Sequence, residues 1–301
     1  MKLTETNKDK IKDLLELALK QTDKITSVTV ETSDSFDIAD VIPYLINDRW
    51  PAAVDPLLIA DQNSEPDKFS RAHAIINMVV STPIGKETRF LDFGCGEGHV
   101  VNTAADQAGV AVGYDAVVQG WDRFPVRSNQ VFTSDWSEVV KNRPYNIVLL
   151  YDVLDHAKDE NDAIMCLRMI KDVLAPEGRV FVRCHPWCSR HGTHLYQKLN
   201  KAYIHMFLTD AQLESMGAKG LPTIKVIHPL QTYSHWFDIA GLRTLSNSVV
   251  REVVESFFLE PTIAGIIKSH WKNSSFVNLA NGTEFPSYQC SQQFVDYVLA
   301  K

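Results

Sequence analysis

The chain has 301 residues, of which 45% are hydrophobic and 22% are charged, as is typical of a globular protein with one large domain or two modest ones. A net charge of −7 and scattered lysines and arginines argue against nucleic-acid binding. No apolar run approaches the roughly 18 residues of a membrane span, and we expect no signal peptide. Five unevenly spaced cysteines indicate a reducing compartment, so we expect a cytoplasmic protein.

Residues 1–85 are predicted to form a helical N-terminal extension that serves as a lid. Apolar residues between Ile11 and Leu19 recur at helical spacing, and a second apolar helix is predicted over Ala72–Val80. The stretch between them is broken by prolines, which favour turns and short helices; these are Pro43, Pro51, Pro56 and Pro66.

From Glu87 onwards, strand-like apolar runs alternate with helical patterns. The predicted strands are 89–93, 111–115, 130–133, 145–151 and 179–185, and the predicted helices are 100–108 and 161–174. Strands separated by helices form a parallel sheet with right-handed crossovers. The sequence therefore predicts an α/β fold over residues 86–301, with a mostly parallel sheet covered by helices on both faces.

The alternation is harder to follow after residue 186. Residues 186–216 are rich in histidine and aromatic residues and are interpreted as a loop followed by helices. A strand is predicted over Val249–Leu259, a helix over Thr262–Trp271 and a closing strand over Gln292–Leu299. Segments around 186–240 and 256–290 are interpreted as insertions into the domain.

A glycine-rich turn follows the first predicted strand, in the run Phe90-Leu-Asp-Phe-Gly-Cys-Gly-Glu-Gly98. Gly94, Gly96 and Gly98 allow unusual backbone angles and let a ligand lie against bare main chain, next to a helix N-terminus. The spacing differs from the dinucleotide fingerprint, so a ligand without a pyrophosphate is indicated. With Asp92 before it, this turn is the strongest candidate for a cofactor site. The alternative is a glycine turn without a ligand.

Three more aspartates follow the next three predicted strands. Asp115 ends the second strand, where a carboxylate can accept hydrogen bonds from both hydroxyls of a ribose. Asp135 follows the third strand and can accept from an adenine amino group, while the ring of Trp136 covers the base. Asp152 follows the fourth strand. Aspartate is common at strand ends, but four in phase on successive strands indicate one ligand site.

These motifs resemble those of the class I, S-adenosylmethionine-dependent methyltransferases. Tyr145–His156 is similar to the family's fourth motif with Asp155 in place of Glu, and Leu174–Gly178 is similar to its Leu-x-Pro-Gly-Gly turn with Glu177 in place of Gly. The resemblance covers about residues 88–185. It implies a Rossmann-like seven-stranded sheet and S-adenosylmethionine as cofactor, with S-adenosylhomocysteine as product. It implies no particular methyl acceptor.

The segment after the fifth strand, from Cys184 to Tyr196, is the candidate acceptor-facing region, within insertions that would build the acceptor pocket. A histidine can act as a base at neutral pH, and His185 and His191 are the first candidates, with His156 as a rival. Alternatively, these histidines satisfy loop backbone groups. Cys188, His191 and His194 suggest zinc, but Cys-x-x-Cys and His-x-x-x-His spacings are missing, so we expect no metal.

The sequence thus predicts a methyltransferase that acts on a small-molecule acceptor, at oxygen or nitrogen. Neither an Asn-Pro-Pro-Tyr signature nor a basic patch supports a nucleic-acid substrate. Two alternatives stay open: a related aminopropyltransferase-like enzyme, against which the histidine-rich segment argues, and a cofactor-binding protein without turnover. The sequence does not indicate an oligomeric state.

Overall fold

The structure is a computed structural model. It describes residues 52–54, 64–186, 189–190, 195–202, 204–206, 210–215, 217, 229–251, 276–278, 284–286 and 292–301. The chain divides into two compact units. One comprises residues 57–187, 222–250 and 293–301, and the other comprises residues 1–56, 188–221 and 251–292.

Nine strands and six α-helices lie within the described residues. The strands are β1 (Arg89–Phe93), β2 (Val110–Tyr114), β3 (Gln130–Thr133), β4 (Tyr145–Tyr151), β5 (Leu174–Cys184), β6 (Arg243–Arg251), β7 (Phe276–Asn278), β8 (Glu284–Pro286) and β9 (Gln292–Ala300). The helices are α1 (Glu65–Ala74), α2 (His99–Ala104), α3 (Trp136–Lys141), α4 (Glu160–Val173), α5 (Asp210–Ser215) and α6 (Pro229–Ala240). None of the helices in this part of the chain is long and apolar enough to cross a membrane.

Seven strands form one mixed sheet in the order β3-β2-β1-β4-β5-β9-β6. Strands β1 to β5 pair in parallel, and β9 runs antiparallel to β5. The chain moves outwards from β1 to β3 and then returns to place β4 on the other side of β1. This reversal opens a crevice at the carboxyl ends of β1 and β4, where α/β sheets bind their ligands.

The central strands of this sheet are buried on both faces. On one face, Leu91, Val148 and Leu150 pack with residues of α4 and α6, including Leu167 and Phe237. On the other face, the alternate strand residues Phe90, Ile147 and Leu149 pack with Val101 of α2 and with Val79 of the helical turn that follows α1. The continuous apolar run of β4 predicted a strand that is buried on both faces. The structure confirms this, because Ile147 to Leu150 are all buried.

The mostly parallel sheet and its first four predicted strands are confirmed, with β1, β3 and β4 at the predicted bounds and β2 one residue earlier. The fifth strand begins at Leu174 instead of Arg179. Tyr145 pairs with Leu174 and Ile147 with Arg179, so residues 175–178 form an irregularity within the strand at the predicted turn. The predicted closing strand is confirmed as β9.

The helix predicted over Ala72–Val80 is also confirmed, although it begins at Glu65. Helix α1 starts after Ser64, whose side chain accepts a hydrogen bond from the Asp67 amide at 3.3 Å, and it continues as a π-helical turn over Ile75–Val80. The predicted helices over 11–19 and 262–271 lie outside the described residues.

Two elements near the C-terminal part of the sheet were predicted wrongly or missed. The strand expected at Val249–Leu259 is β6, which begins at Arg243; residues 252–259 lie outside the described residues. Strand β6 is at the edge of the sheet and its residues are mostly exposed, so its apolar signal is weak. Helix α6, in the segment interpreted as an insertion around 186–240, packs Tyr233, Trp236 and Phe237 into the sheet's core. The predicted domain boundaries stay predictions.

The second unit has a smaller described part, which contains α5, two short 3-10 turns and the β7–β8 hairpin. Within it, Asn200 bonds the backbone of Val54 twice: its Oδ1 accepts from the amide at 2.9 Å, and its Nδ2 donates to the carbonyl at 2.8 Å. Arg190 donates to the Ala52 carbonyl at 2.6 Å.

Candidate cofactor site

The glycine-rich turn between β1 and α2 has the conformation that its sequence demands. Gly94, Gly96 and Gly98 all have positive φ, of 80°, 49° and 88°. A Cβ at Gly94 would lie 2.6 Å from Val153, and one at Gly98 would lie 2.5 Å from Phe132. A Cβ at Gly96 would meet no heavy atom within 4 Å. Two glycines are thus required by packing, while the middle one borders open space.

Strand β2 anchors this turn. The amides of Gly94 and Cys95 both donate to the Tyr114 carbonyl, at 2.7 and 3.0 Å. The next residue, Asp115, accepts the Gly96 amide on Oδ2 at 2.9 Å and the Val117 amide on Oδ1 at 3.0 Å. Each carboxylate oxygen keeps a second lone pair, so the predicted ribose contact is compatible with this geometry and stays a prediction.

Asp92 lies within β1 between Gly113 of β2 and Leu149 of β4, and it is almost completely buried. Burial, and secondly the charge of Asp115, raises the pKa of Asp92 to about 7. A carboxyl group in this setting is partly protonated at neutral pH. It therefore belongs to the interior beneath the glycine turn, and its place in a cofactor site stays a prediction.

The predicted adenine-binding pair, Asp135 and Trp136, lies at the start of α3. Asp135 caps the helix, since its Oδ1 accepts from the Ser137 amide at 2.9 Å and its Oδ2 accepts from the Ser137 hydroxyl at 2.8 Å. These bonds lower the pKa of Asp135. The Trp136 ring meets Tyr114 and Phe93 edge-on, with centroids 5.2 and 5.8 Å apart. Both residues have a structural role, and their contact with a base stays a prediction.

The end of β4 carries two carboxylates with buried oxygens for which the described residues provide no hydrogen-bond donor. These oxygens are Oδ1 of the half-buried Asp152 and both carboxylate oxygens of the buried Asp155. Asp152 has a φ of 54°, unusual for a residue with a side chain. Burial raises the pKa of both groups, that of Asp155 to about 6. Asp152 was predicted as a site residue from its position after β4, whereas Asp155 was only the residue that replaces Glu in the family's fourth motif. The spacing of Asp152 and Asp155, three residues apart after the same strand, could have indicated that both carboxylates belong to the site.

The candidate bases occupy different surroundings. His156 is half exposed, and its Nε2 lies 4.0 Å from Asp155 Oδ2. His185 is buried, and its Nδ1 lies 2.9 Å from the Gln293 carbonyl oxygen. A carbonyl only accepts, so Nδ1 carries the proton and, in the neutral ring, Nε2 carries the lone pair. His191 lies outside the described residues, as do Cys188 and His194.

Two charged groups beside the site were missed because their members are far apart in sequence. Arg183 of β5 makes a bidentate ion pair with Asp296 of β9, in which Nε donates to Oδ1 and Nη2 donates to Oδ2, both at 2.6 Å. The other group joins α1 to the glycine turn. In it, Lys68 donates to Glu97 at 2.6 Å, and Glu65 lies 2.9 Å from His99. Arg123 contacts both glutamates, at 3.1 and 3.3 Å. Since two cations neutralise these acids, the group forms an ion-pair network.

The chain matches a known protein family and is similar to solved structures. A family model described as "Methyltransferase domain" matches residues 57–246. No curated protein sequence matches the chain. Solved methyltransferases are similar at low identity. An Archaeoglobus fulgidus enzyme is 16% identical over 82% of this chain and all of its own, with a TM-score of 0.44. One from Clostridium acetobutylicum is 10% identical over 81% of this chain and 96% of its own, with a TM-score of 0.43. The N-methyltransferase NodS from Bradyrhizobium japonicum, in complex with S-adenosylhomocysteine, is 10% identical over 64% of this chain and 84% of its own, with a TM-score of 0.39.

Proposed function

Because the chain belongs to the class I, S-adenosylmethionine-dependent methyltransferase family, we propose that it binds S-adenosylmethionine against the glycine turn and methylates a small-molecule acceptor. The observation that carries the proposal is the surroundings of Gly96. Its backbone has positive φ and borders open space, and its amide is fixed by Asp115 at the end of the neighbouring strand. A bare, fixed backbone at the switch point of the sheet is where an adenosyl ligand fits.

The described residues fit this cofactor in both shape and polarity. Gly96 leaves room for a ligand, and Asp115 has lone pairs left for two ribose hydroxyls. Asp152 contributes a buried oxygen for which the described residues provide no hydrogen-bond donor, which suits an ammonium or hydroxyl group of a ligand. We assign Asp92, Gly94, Gly98, Asp135 and Trp136 to the same site, as the residues that shape the turn and border the base.

When bound, the cofactor supplies a methyl group on a positively charged sulfur, already activated for in-line transfer. The protein's tasks are therefore to align the acceptor and to exclude water. The glycine turn provides a rigid support, because its amides are tied to Tyr114 and Asp115.

A base is needed where the acceptor loses a proton. We assign this task first to His185, whose Nδ1–H is held by the Gln293 carbonyl so that Nε2 can receive a proton. His191 and His156 are the further candidates.

The acceptor class follows from charge and chemistry. The net charge of −7 disfavours a polyphosphate substrate, so we infer a small molecule methylated at oxygen or nitrogen.

We further infer a reducing, cytoplasmic setting. It is supported by three free thiols among the described residues, those of Cys95, Cys166 and Cys184.

The experiment that tests this function uses S-adenosylmethionine with a tritiated methyl group. The protein is incubated with it and with a small-molecule extract from which polymers have been removed by filtration. We expect radioactivity in a low-mass product that depends on the protein and is inhibited by S-adenosylhomocysteine. Transfer only to nucleic acid or protein, when these are added back, would contradict the proposed acceptor class. Binding without transfer to any fraction would identify a protein without turnover.

A further inference from the structure

The glycine turn is held from outside by Trp121, a residue that has no role in the site as described so far. Trp121 opens a 3-10 turn, Trp121–Arg123, in the segment after β2. Its indole Nε1 donates a hydrogen bond of 2.8 Å to the Gly96 carbonyl. The indole ring stacks on Phe132, with centroids 5.6 Å apart and planes 17° apart. Stacking and hydrogen bond together fix the indole against the turn.

Both backbone groups of Gly96 therefore have side-chain partners. Its amide donates to Asp115 at 2.9 Å, and its carbonyl accepts from Trp121. The next residue, Glu97, is held by its carboxylate, which contacts Lys68 at 2.6 Å and Arg123 at 3.1 Å. Arg123 belongs to the same short turn as Trp121. That turn thus holds two successive residues of the glycine loop, one by its backbone and one by its side chain.

The bond to Trp121 determines which way the Gly96–Glu97 peptide faces. A trans peptide is planar, and its carbonyl and N–H point in opposite directions. Since the Gly96 carbonyl points to the indole, the Glu97 N–H points away from it. No described residue accepts a hydrogen bond from this N–H. A flipped peptide would present a carbonyl oxygen there instead of a donor.

We propose that Trp121 is a positioning residue that keeps the Glu97 N–H presented to the carboxylate of the cofactor's amino-acid moiety. The inference rests on the proposed function and adds a residue to it. A donor attracts a carboxylate, whereas a carbonyl oxygen repels it, so the direction of one peptide changes the affinity for that group. By our proposal the adenosine is held by Asp115 and lies against the side-chain-free Cα of Gly96, so its binding does not require that the Gly96–Glu97 peptide face one particular way.

The test is Trp121→Phe, which removes the N–H donor and keeps an aromatic ring, although a smaller one, to stack on Phe132. Its matched control is Trp236→Phe in α6, where the buried indole donates to Glu160 of α4 at 2.7 Å. Calorimetry compares S-adenosylhomocysteine with 5′-methylthioadenosine, which lacks the amino-acid moiety. For Trp121→Phe we expect about a tenfold loss of affinity for S-adenosylhomocysteine, the effect of one charge-assisted hydrogen bond. The affinity for methylthioadenosine stays as in the wild type, and Trp236→Phe changes neither affinity.

Equal S-adenosylhomocysteine affinity in Trp121→Phe and wild type would overturn the proposal. So would a parallel loss for both ligands, since that marks a general collapse of the loop. A second measurement needs no variant: in wild-type protein, the Glu97 amide resonance should shift with S-adenosylhomocysteine and not with methylthioadenosine, and equal shifts would contradict the proposal. If wild-type protein binds neither ligand, it is the proposed function that fails.

Discussion

Asp115 and Asp135, which follow β2 and β3, lie at the same edge of the sheet as Asp152 and Asp155, which follow β4. The two pairs differ in the hydrogen bonds that their carboxylates accept. Both oxygens of Asp115 and of Asp135 accept hydrogen bonds that shape a loop or cap a helix. Asp152 and Asp155 have buried oxygens with no hydrogen-bond donor among the described residues.

The pKa values show the same contrast. Hydrogen bonds lower the pKa of Asp135, while burial raises that of Asp155 to about 6. The first pair stabilises the loops around the proposed cofactor. The second pair costs stability in the described fold, because a buried acceptor without a donor is unfavourable. Groups kept at such a cost are characteristic of functional sites.

The largest effect is expected at the end of β5, if His185 is the base. In His185→Asn, the side-chain amide can replace Nδ1 as the hydrogen-bond donor to the Gln293 carbonyl, while the proton acceptor Nε2 is lost. Turnover should fall roughly 100-fold or more, with cofactor affinity unchanged, because general base catalysis contributes that much. Steady-state kinetics and calorimetry measure the two effects separately. His156→Asn is the comparison: if it alone lowers turnover, the base is His156.

An intermediate effect is expected at the end of β2. Asp115→Ala removes the acceptor for the Gly96 amide and, by our proposal, for the ribose. Affinity for S-adenosylhomocysteine should fall about 10- to 100-fold, as charge-assisted hydrogen bonds are lost. Asp106→Ala is the control, since it removes only an exposed ion pair with Arg127. Unchanged affinity in Asp115→Ala would mean that another group holds the ribose.

The smallest effect separates the two sets of aspartates by pH. The folded-state pKa of Asp155, about 6, lies above the unfolded value near 4. The wild type therefore loses stability as pH rises from about 4 through 6, and the neutral Asp155→Asn variant avoids this loss. Urea denaturation should show Asp155→Asn gaining stability relative to wild type between pH 5 and pH 8.

Asp135→Ala provides the contrast in the same assay. It should cost about 1 kcal/mol through the lost helix cap. Because the pKa of Asp135 is lowered, the group stays charged throughout this range, and the cost should be equal at pH 5 and pH 8. A relative stability of Asp155→Asn that does not change with pH would remove the contrast between the two pairs.

The sequence predicted the part of this site that depends on local pattern. Apolar runs located β1 to β4 within a residue, and Gly94, Gly96 and Gly98 predicted a turn with unusual backbone angles, in which all three glycines have positive φ. Aspartates at strand ends followed from the same strand bounds, because parallel strands end at one edge of the sheet.

What the sequence could not predict depends on contacts between distant segments. Trp121 bonds a carbonyl 25 residues away, and the network of Glu65, Lys68, Glu97 and Arg123 joins three separate elements. Strand β6 was misplaced because an exposed edge strand has little apolar pattern. Whether a buried carboxylate such as Asp155 has a donor also depends on tertiary packing.

The central claim, that the backbone at Gly96 receives S-adenosylmethionine, is tested most directly by calorimetric titration of Gly96→Val with S-adenosylhomocysteine. The control is Gly241→Val, which places the same side chain directly after α6. Gly241 also has a positive φ, 74°, compared with 49° for Gly96. We predict that wild type and Gly241→Val bind one equivalent, and that Gly96→Val stays folded and binds none. Equal affinity in Gly96→Val and the control would contradict the assignment of the glycine turn.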